Sequence, residues 1–383
     1  MKKTRMLTPG PTPLPENVRL SLAKDMIHHR KPEFKKILQD VQKGLQYLFG
    51  TQEPVLILSS SGTGAMVAAV NNLFSPGETV VVVEAGKFGE RWTEIARERG
   101  LKVVRLEVEW GEAVEINKLS DVLEKFKSIK GVLIQASETS TGVLHPIQEV
   151  ANLCQKKGII SVVDGISAVG ISPCPMDKWG IDCLLTGSQK GLMLPPGLAF
   201  ISLSKKALEK VKTIKQRGFY FDLLKEHASI LKCQTAYTSS INLLVGLQES
   251  LRYFRECGLK NIYKKQKALT EMVREGVKLI GLELLALKDY TWGLTAVKMP
   301  AGLDASKVLS ILKEKYGYVL AGGQGPLKGK IIRIGHMGYV DYVDLAGCLY
   351  ALQKSFVQAG GVSGARNFIE RAMDIYFKTL EES

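Results

Sequence analysis

Signatures of metal and disulfide chemistry are scarce in this chain. Its six cysteines (Cys154, Cys174, Cys183, Cys233, Cys257 and Cys348) contain no CxxC pair, and its five histidines (His28, His29, His145, His227 and His336) contain no HExxH. That leaves zinc catalysis, iron–sulfur ligation and a redox dithiol without a sequence basis. Long apolar runs are missing too. The longest charge-free stretch, Pro54 to Gly77, is interrupted by Ser59, Ser60, Ser61, Asn71 and Asn72, whereas a bilayer span needs ~20 predominantly apolar residues. The basic start MKKTR is followed by no apolar h-region, so the expected location is the cytoplasm. Basic charge exceeds acidic, 52 Lys and Arg against 38 Asp and Glu, but it is spread along the chain and accompanies no zinc-finger or aromatic-basic RNA-binding pattern. An anionic small molecule fits that balance as well as a polymer, and no nucleic-acid or membrane partner is expected. There is no GxxxxGK[ST] phosphate loop, no internal repeat and no low-complexity linker.

What is present is an ordinary folded composition, 45% hydrophobic and 23% charged over 383 residues, enough for two domains. Short apolar runs at 55–58, 79–84, 102–108, 131–136, 158–164, 182–187 and 198–203 alternate with amphipathic stretches such as 88–100, where Trp92, Ile95 and Ala96 share a face. Runs apolar throughout are what strands buried on both faces look like, and the strand–helix alternation predicts an α/β fold with a mostly parallel sheet sandwiched by helices. Beyond about residue 240 long helices dominate, with strand candidates at 280–286, 292–298 and 331–335, which predicts a smaller α+β domain. The expected division is an extended Pro-rich arm over 1–20, a large domain over 21–250 and a small C-terminal domain over 251–383, bridged by a long helix.

Ligands of such sheets bind beyond the carboxyl ends of the strands, so chemistry is sought in the loops after Leu58, Glu84, Ala136, Asp164 and Gly187. Lys190, in GSQKGLMLPPGLAF, follows a buried strand; apolar flanks lower an amine pKa, as lysines that attack carbonyl carbons require. Asp164 ends an apolar strand and reads equally as a helix cap or as the partner of a protonated ring nitrogen. SSSGTGAM (59–66) joins a strand to a helix and offers small residues and free amides to a phosphate. As a dinucleotide fingerprint it lacks the third small residue, because Val67 stands there; Glu84, at a strand end, keeps that reading as an alternative.

A phosphate cradle, a strand-end Asp and a desolvated Lys in that order resemble the pyridoxal-phosphate (PLP) enzymes of aminotransferase class V, especially the alanine-glyoxylate and serine-pyruvate branch. LTPGPTPLP, HHRKPEF, SSGTGAM, ETSTGVL, VVDGISAVG, TGSQKGLMLPPG, QTAYTSS and IIRIGHMG carry the resemblance across nearly the whole chain. It implies the type I PLP-transferase fold and PLP as cofactor, with Lys190 forming the Schiff base and Asp164 holding the pyridinium nitrogen. Ser61, Gly62, Thr63 and Gln189 would surround the phosphate, Thr139 would lie near the ring hydroxyl, and Phe88 would stack on the ring where other members carry Trp. Thr238, with Thr235 or Tyr237, would complete the phosphate site of a second subunit in a homodimer, and Arg333 would receive the substrate carboxylate as a two-pronged guanidinium partner. His28, His29 and Arg30 fit a loop near the partner's site or a solvated basic cluster. The implied activity is ping-pong transfer of an amino group from alanine or serine to glyoxylate or pyruvate. A phosphoserine or aminophosphonate aminotransferase, and a non-catalytic subunit that keeps the fold, are the alternatives. Gln189 stands where cysteine desulfurases usually carry histidine, and Cys348 lies in a helical pattern, against that chemistry.

Overall fold

A computed structural model describes residues 3–362 and 364–382. Its frame is a seven-stranded sheet of β1 (Val55–Leu58), β2 (Thr79–Glu84), β3 (Lys102–Glu107), β4 (Ile129–Gln135), β5 (Ile160–Asp164), β6 (Cys183–Gly187) and β7 (Ala199–Leu203), in the spatial order β1-β7-β6-β5-β4-β2-β3. Only β7 runs against the others. Every residue of β1, β5, β6 and β7 is buried, the result expected of uniformly apolar strands covered on both faces. β3 lies at the edge and is the one with alternating exposure.

Helices α1 (Pro32–Phe49), α2 (Gly62–Leu73) and α3 (Lys87–Glu98) supply the cover. Trp92 and Ala96 of α3 are buried against the sheet, while its charged face looks outward. Helix α4 (Ile241–Cys257) packs on α1, and α5 (Leu259–Ile280) turns away into a second core with the C-terminal helices Tyr342–Gln358 and Phe368–Glu382. The two long helical stretches expected beyond residue 240 are α4 and α5, separated at Gly258, whose φ of 75° ends one helix and redirects the next. The second core also holds a four-stranded antiparallel sheet of β8 (Glu283–Leu284), β9 (Leu294–Lys298), β10 (Ala321–Gly322) and β11 (Ile331–Gly335), ordered β8-β9-β11-β10.

The N-terminal segment differs from a free extended arm. Arg5–Met6 pairs in parallel with Tyr318–Val319 of the second core, and the amide of Gly335 donates to Leu7 O. Residues Glu16–Leu22 are helical, because Pro15 at the N-cap position stops no helix that begins after it. Between these anchors, residues 8–12 cross from one core to the loop after β6, where Thr12 N donates to Gln189 O at 3.1 Å and Thr12 Oγ1 to Lys190 O at 3.0 Å. Among the described residues no helix is long and apolar enough to cross a membrane.

Candidate active site

The parallel strands β1, β2, β4, β5 and β6 deliver their C-terminal loops to one edge of the sheet. After β1, Ser61 is the N-cap of α2 but makes no side-chain cap bond, so the first-turn amides of the helix carry no side-chain partner there. Gly62 is required by proximity: a Cβ would stand 2.4 Å from Cδ1 of Ile166, in the turn just after Asp164. A Cβ on Gly187, at the end of β6, would lie 3.4 Å from Gly62 N and 3.0 Å from Gln189 Oε1. The loops that carry Gly62, Asp164 and Gln189 therefore touch. Gln189 Oε1 is buried with no hydrogen-bond partner, an acceptor left open toward this junction.

Lys190 lies at the centre. Its Nζ donates to Pro9 O of the N-terminal segment. Gly10, at φ 108°, leaves room for it, since a Cβ there would fall 2.4 to 2.7 Å from Cδ, Cε and Nζ. Burial pushes the amine down to about 8, with Arg333 and Arg91 adding to the fall and Asp164 opposing it. Asp164 ends β5 with 4% exposure and accepts from Ile166 N at 2.8 Å. Burial lifts its carboxyl to about 7, and Glu138 adds to the rise. An amine easily freed of its proton thus lies within charge-interaction range of a carboxyl that has few donors of its own, and a cation placed against Asp164 would restore its charge.

Helix α3 brings Phe88, which is partly buried. Arg91, one turn on, lies over the Phe88 ring at 4.8 Å and donates from Nη1 to Thr63 Oγ1 at 3.2 Å. After β4 come Glu138, Thr139 and Ser140, all within 2% of full burial. Arg333, on β11, reaches across from the second core; its Nε donates to Gly322 O at 2.9 Å and its Nη1 to Thr139 O at 2.8 Å. Among the described residues no carboxylate lies within salt-bridge distance of Arg333 or Arg91, and Arg333 is only 7% exposed. Desolvation depresses its pKa, which makes it a buried cation held by carbonyl groups and open to a carboxylate.

Two expected residues stand elsewhere. Thr235 is buried in the loop before α4, its Oγ1 engaged with Tyr237 O at 2.6 Å, and Thr238 is exposed on the same loop. Among the described residues neither makes a hydrogen bond to the groups around Lys190. Arg30 binds that loop, donating from Nη1 to Gln234 Oε1 at 2.9 Å, while His28 and His29 stack at 4.8 Å beside it. Sequence reasoning passed over Arg91, Glu138 and the Pro9–Gly10 segment. Glu138 was legible as an acid between an apolar strand and a run of hydroxyl residues; Arg91 and Gly10 carry no signal apart from the three-dimensional arrangement.

The residues fit PLP: a desolvated amine, a buried carboxyl needing a cation and an uncapped helix N-terminus converge on one edge. Fold and site together are those that a PLP-dependent enzyme of the type I fold needs. The class-V aminotransferase family model matches residues 17–332, and the chain belongs to that family. It is 38% identical to the soluble hydrogenase small subunit of Synechococcus sp. over 94% of each chain. It is 35% identical to the L-aspartate–glyoxylate aminotransferase of Paracoccus denitrificans, over 86% of this chain and 85% of that one. The alanine–glyoxylate aminotransferase structure from Nostoc sp. superposes with a TM-score of 0.88 at 30% identity, covering 93% of this chain and 96% of that one.

Proposed function

We propose that the chain transfers the amino group of a small L-amino acid, alanine or serine, to glyoxylate or pyruvate through two successive half-reactions. The single observation that carries this is Arg333: a buried guanidinium with no carboxylate partner among the described residues, held to Thr139 O and close enough to Lys190 for its charge to depress that amine. Both aminotransferase relatives are named for glyoxylate, one paired with alanine and the other with L-aspartate.

When bound, PLP supplies an electron sink that makes the substrate Cα–H acidic. In this reading Lys190 would hold the cofactor and would carry the substrate proton at Nζ. Burial already holds that amine near neutrality, so it can take up and release a proton in the working pH range. Asp164 keeps the ring nitrogen protonated. Gly62 and Thr63, with Ser61 and Gln189 beside them, hold the phosphate, and Phe88 and Thr139 hold the ring. Arg333 fixes the α-carboxylate so that Cα–H stands near Lys190. Thr235 and Thr238, on a surface loop, serve the site of a second copy, and the location is the cytoplasm.

A non-catalytic role, prompted by the relative named as a hydrogenase subunit, has against it the retention of Lys190, Asp164 and Arg333 together. Initial rates with L-alanine against glyoxylate should give parallel double-reciprocal lines, with L-serine turned over and L-phosphoserine poorly used. Intersecting lines, or preference for phosphoserine, would overturn the mechanism or the substrate class respectively.

A further inference from the structure

Resting on that reading, one group in the site has no part in it. Glu138 has 0% exposure, yet its two oxygens collect five donors. Oε2 accepts from Phe88 N at 3.1 Å, Gly89 N at 3.2 Å and Gln135 Nε2 at 3.0 Å. Oε1 accepts from Ser140 N at 3.1 Å and Ser140 Oγ at 2.5 Å.

These donors belong to two pieces of chain. Phe88 and Gly89 form the first turn of α3, whose own N-cap, Gly86, has no side chain to offer. Glu138 caps that helix from a distance, and Gly86 must be glycine to let it, because a Cβ would come within 2.4 Å of Ser140 Oγ and 2.6 Å of Glu138 Cδ. Ser140 completes the weld by accepting from Lys87 N at 3.1 Å. The second piece is the turn Thr139–Ser140, and the carbonyl of Thr139 is where Arg333 is held.

We propose that Glu138 is the positioning residue for substrate carboxylate recognition: it locks the Thr139 carbonyl to the rigid N-terminus of α3, and that carbonyl aims the Arg333 guanidinium. Arg333 arrives from the second core on β11, and its other hydrogen bond is to Gly322 O on the neighbouring strand of its own sheet. Thr139 O is therefore its hydrogen-bonded reference point on the core that carries Lys190. If the turn shifts, the guanidinium keeps its charge but loses its direction relative to Lys190. A two-pronged carboxylate bond depends on that direction.

Glu138→Gln is isosteric and cannot satisfy the same donors. With its NH2 at the Oε1 position it faces the Ser140 N–H; at the Oε2 position it faces the amides of Phe88 and Gly89. The test uses the cofactor-loaded protein and two oxyamines that trap it, aminooxyacetate, which carries a carboxylate, and methoxyamine, which does not. Trapping is followed by the change in visible absorption. In Glu138→Gln the aminooxyacetate rate should fall about tenfold, the size expected when a buried N–H loses its acceptor, while the methoxyamine rate stays within twofold. Cofactor affinity of the apoprotein, measured by fluorescence titration, should change less than the aminooxyacetate rate.

Equal losses for both oxyamines would assign Glu138 a general structural role and overturn the proposal, as would no loss for either. If Glu138→Gln does not fold, Ser140→Ala decides, with a smaller loss of two- to fivefold expected for aminooxyacetate alone. A wild-type protein that takes up no cofactor would instead refute the functional reading itself, which separates the two failures.

Discussion

At the scale of single residues, the site is a set of groups held in states that water would not favour. Asp164 illustrates the cost. Its carboxyl rises from an ordinary value of 3.8 to about 7 because burial penalises the charge. A folded pKa above the unfolded one means that this group's contribution to stability is fully present below pH ~4 and is lost as pH rises through ~7. Asp164→Asn keeps an acceptor for Ile166 N but has no charge to bury. Cofactor-free Asp164→Asn should therefore melt above the wild type at pH 8, with the gap closing toward pH 4, as followed by thermal denaturation. The same substitution should slow amino transfer by orders of magnitude, because a neutral amide cannot hold the ring proton. A variant no more stable than the wild type at pH 8 would mean that Asp164 is not strained by burial.

At the scale of elements, the large sheet was legible because its strands are apolar throughout and bounded by polar or glycine residues. All seven apolar runs fall on strands of the sheet, with ends within about two residues. Lys190, Asp164 and the 59–66 loop were legible for a related reason: each lies at or just beyond the C-terminal end of a buried strand, where ligands of such sheets bind. The N-terminal segment was less so. Its prolines read as an extended arm over 1–20, whereas the chain pairs as a strand at Arg5–Met6, is free of helix and strand from Leu7 to Pro15 and is helical from Glu16; nothing in the prolines says that Pro9 and Gly10 lie on Lys190, a contact 181 residues apart in the chain. The two long helices were legible as separate amphipathic stretches at 241–257 and 261–281, and the structure carries them on α4 and α5, parted at Gly258. Glu138 was legible as an acid beside a run of hydroxyl residues, but not its role, because its donors are mostly backbone amides, which no side-chain pattern records.

At the scale of the whole molecule, one chain leaves part of the expected machinery on its surface. Thr238 is exposed, and the loop that bears it adjoins large exposed apolar side chains: Phe219 is 74% exposed and Leu231 63%, while Tyr237 stacks on Tyr220 at 5.1 Å. Met26 and Leu20, near the Arg30 segment that binds this loop, are 69% and 65% exposed. A second copy covering this face would bury them and bring Thr235 and Thr238 to the partner's site. Sedimentation equilibrium should then give twice the chain mass of 42.1 kDa; a monomer that is fully active would remove the shared-site reading.

The central claim is that Lys190 carries PLP and passes amino groups through it. The most direct test is the visible absorption of purified wild-type protein and of Lys190→Ala, each supplied with PLP, before and after L-alanine and then glyoxylate. The wild type should be yellow, bleach with alanine and recover its colour with glyoxylate, while folded Lys190→Ala should lack both the lysine-dependent absorption and the cycle. A wild-type spectrum that stays colourless with added PLP, or a Lys190→Ala protein that completes the cycle at the wild-type rate, would contradict the account.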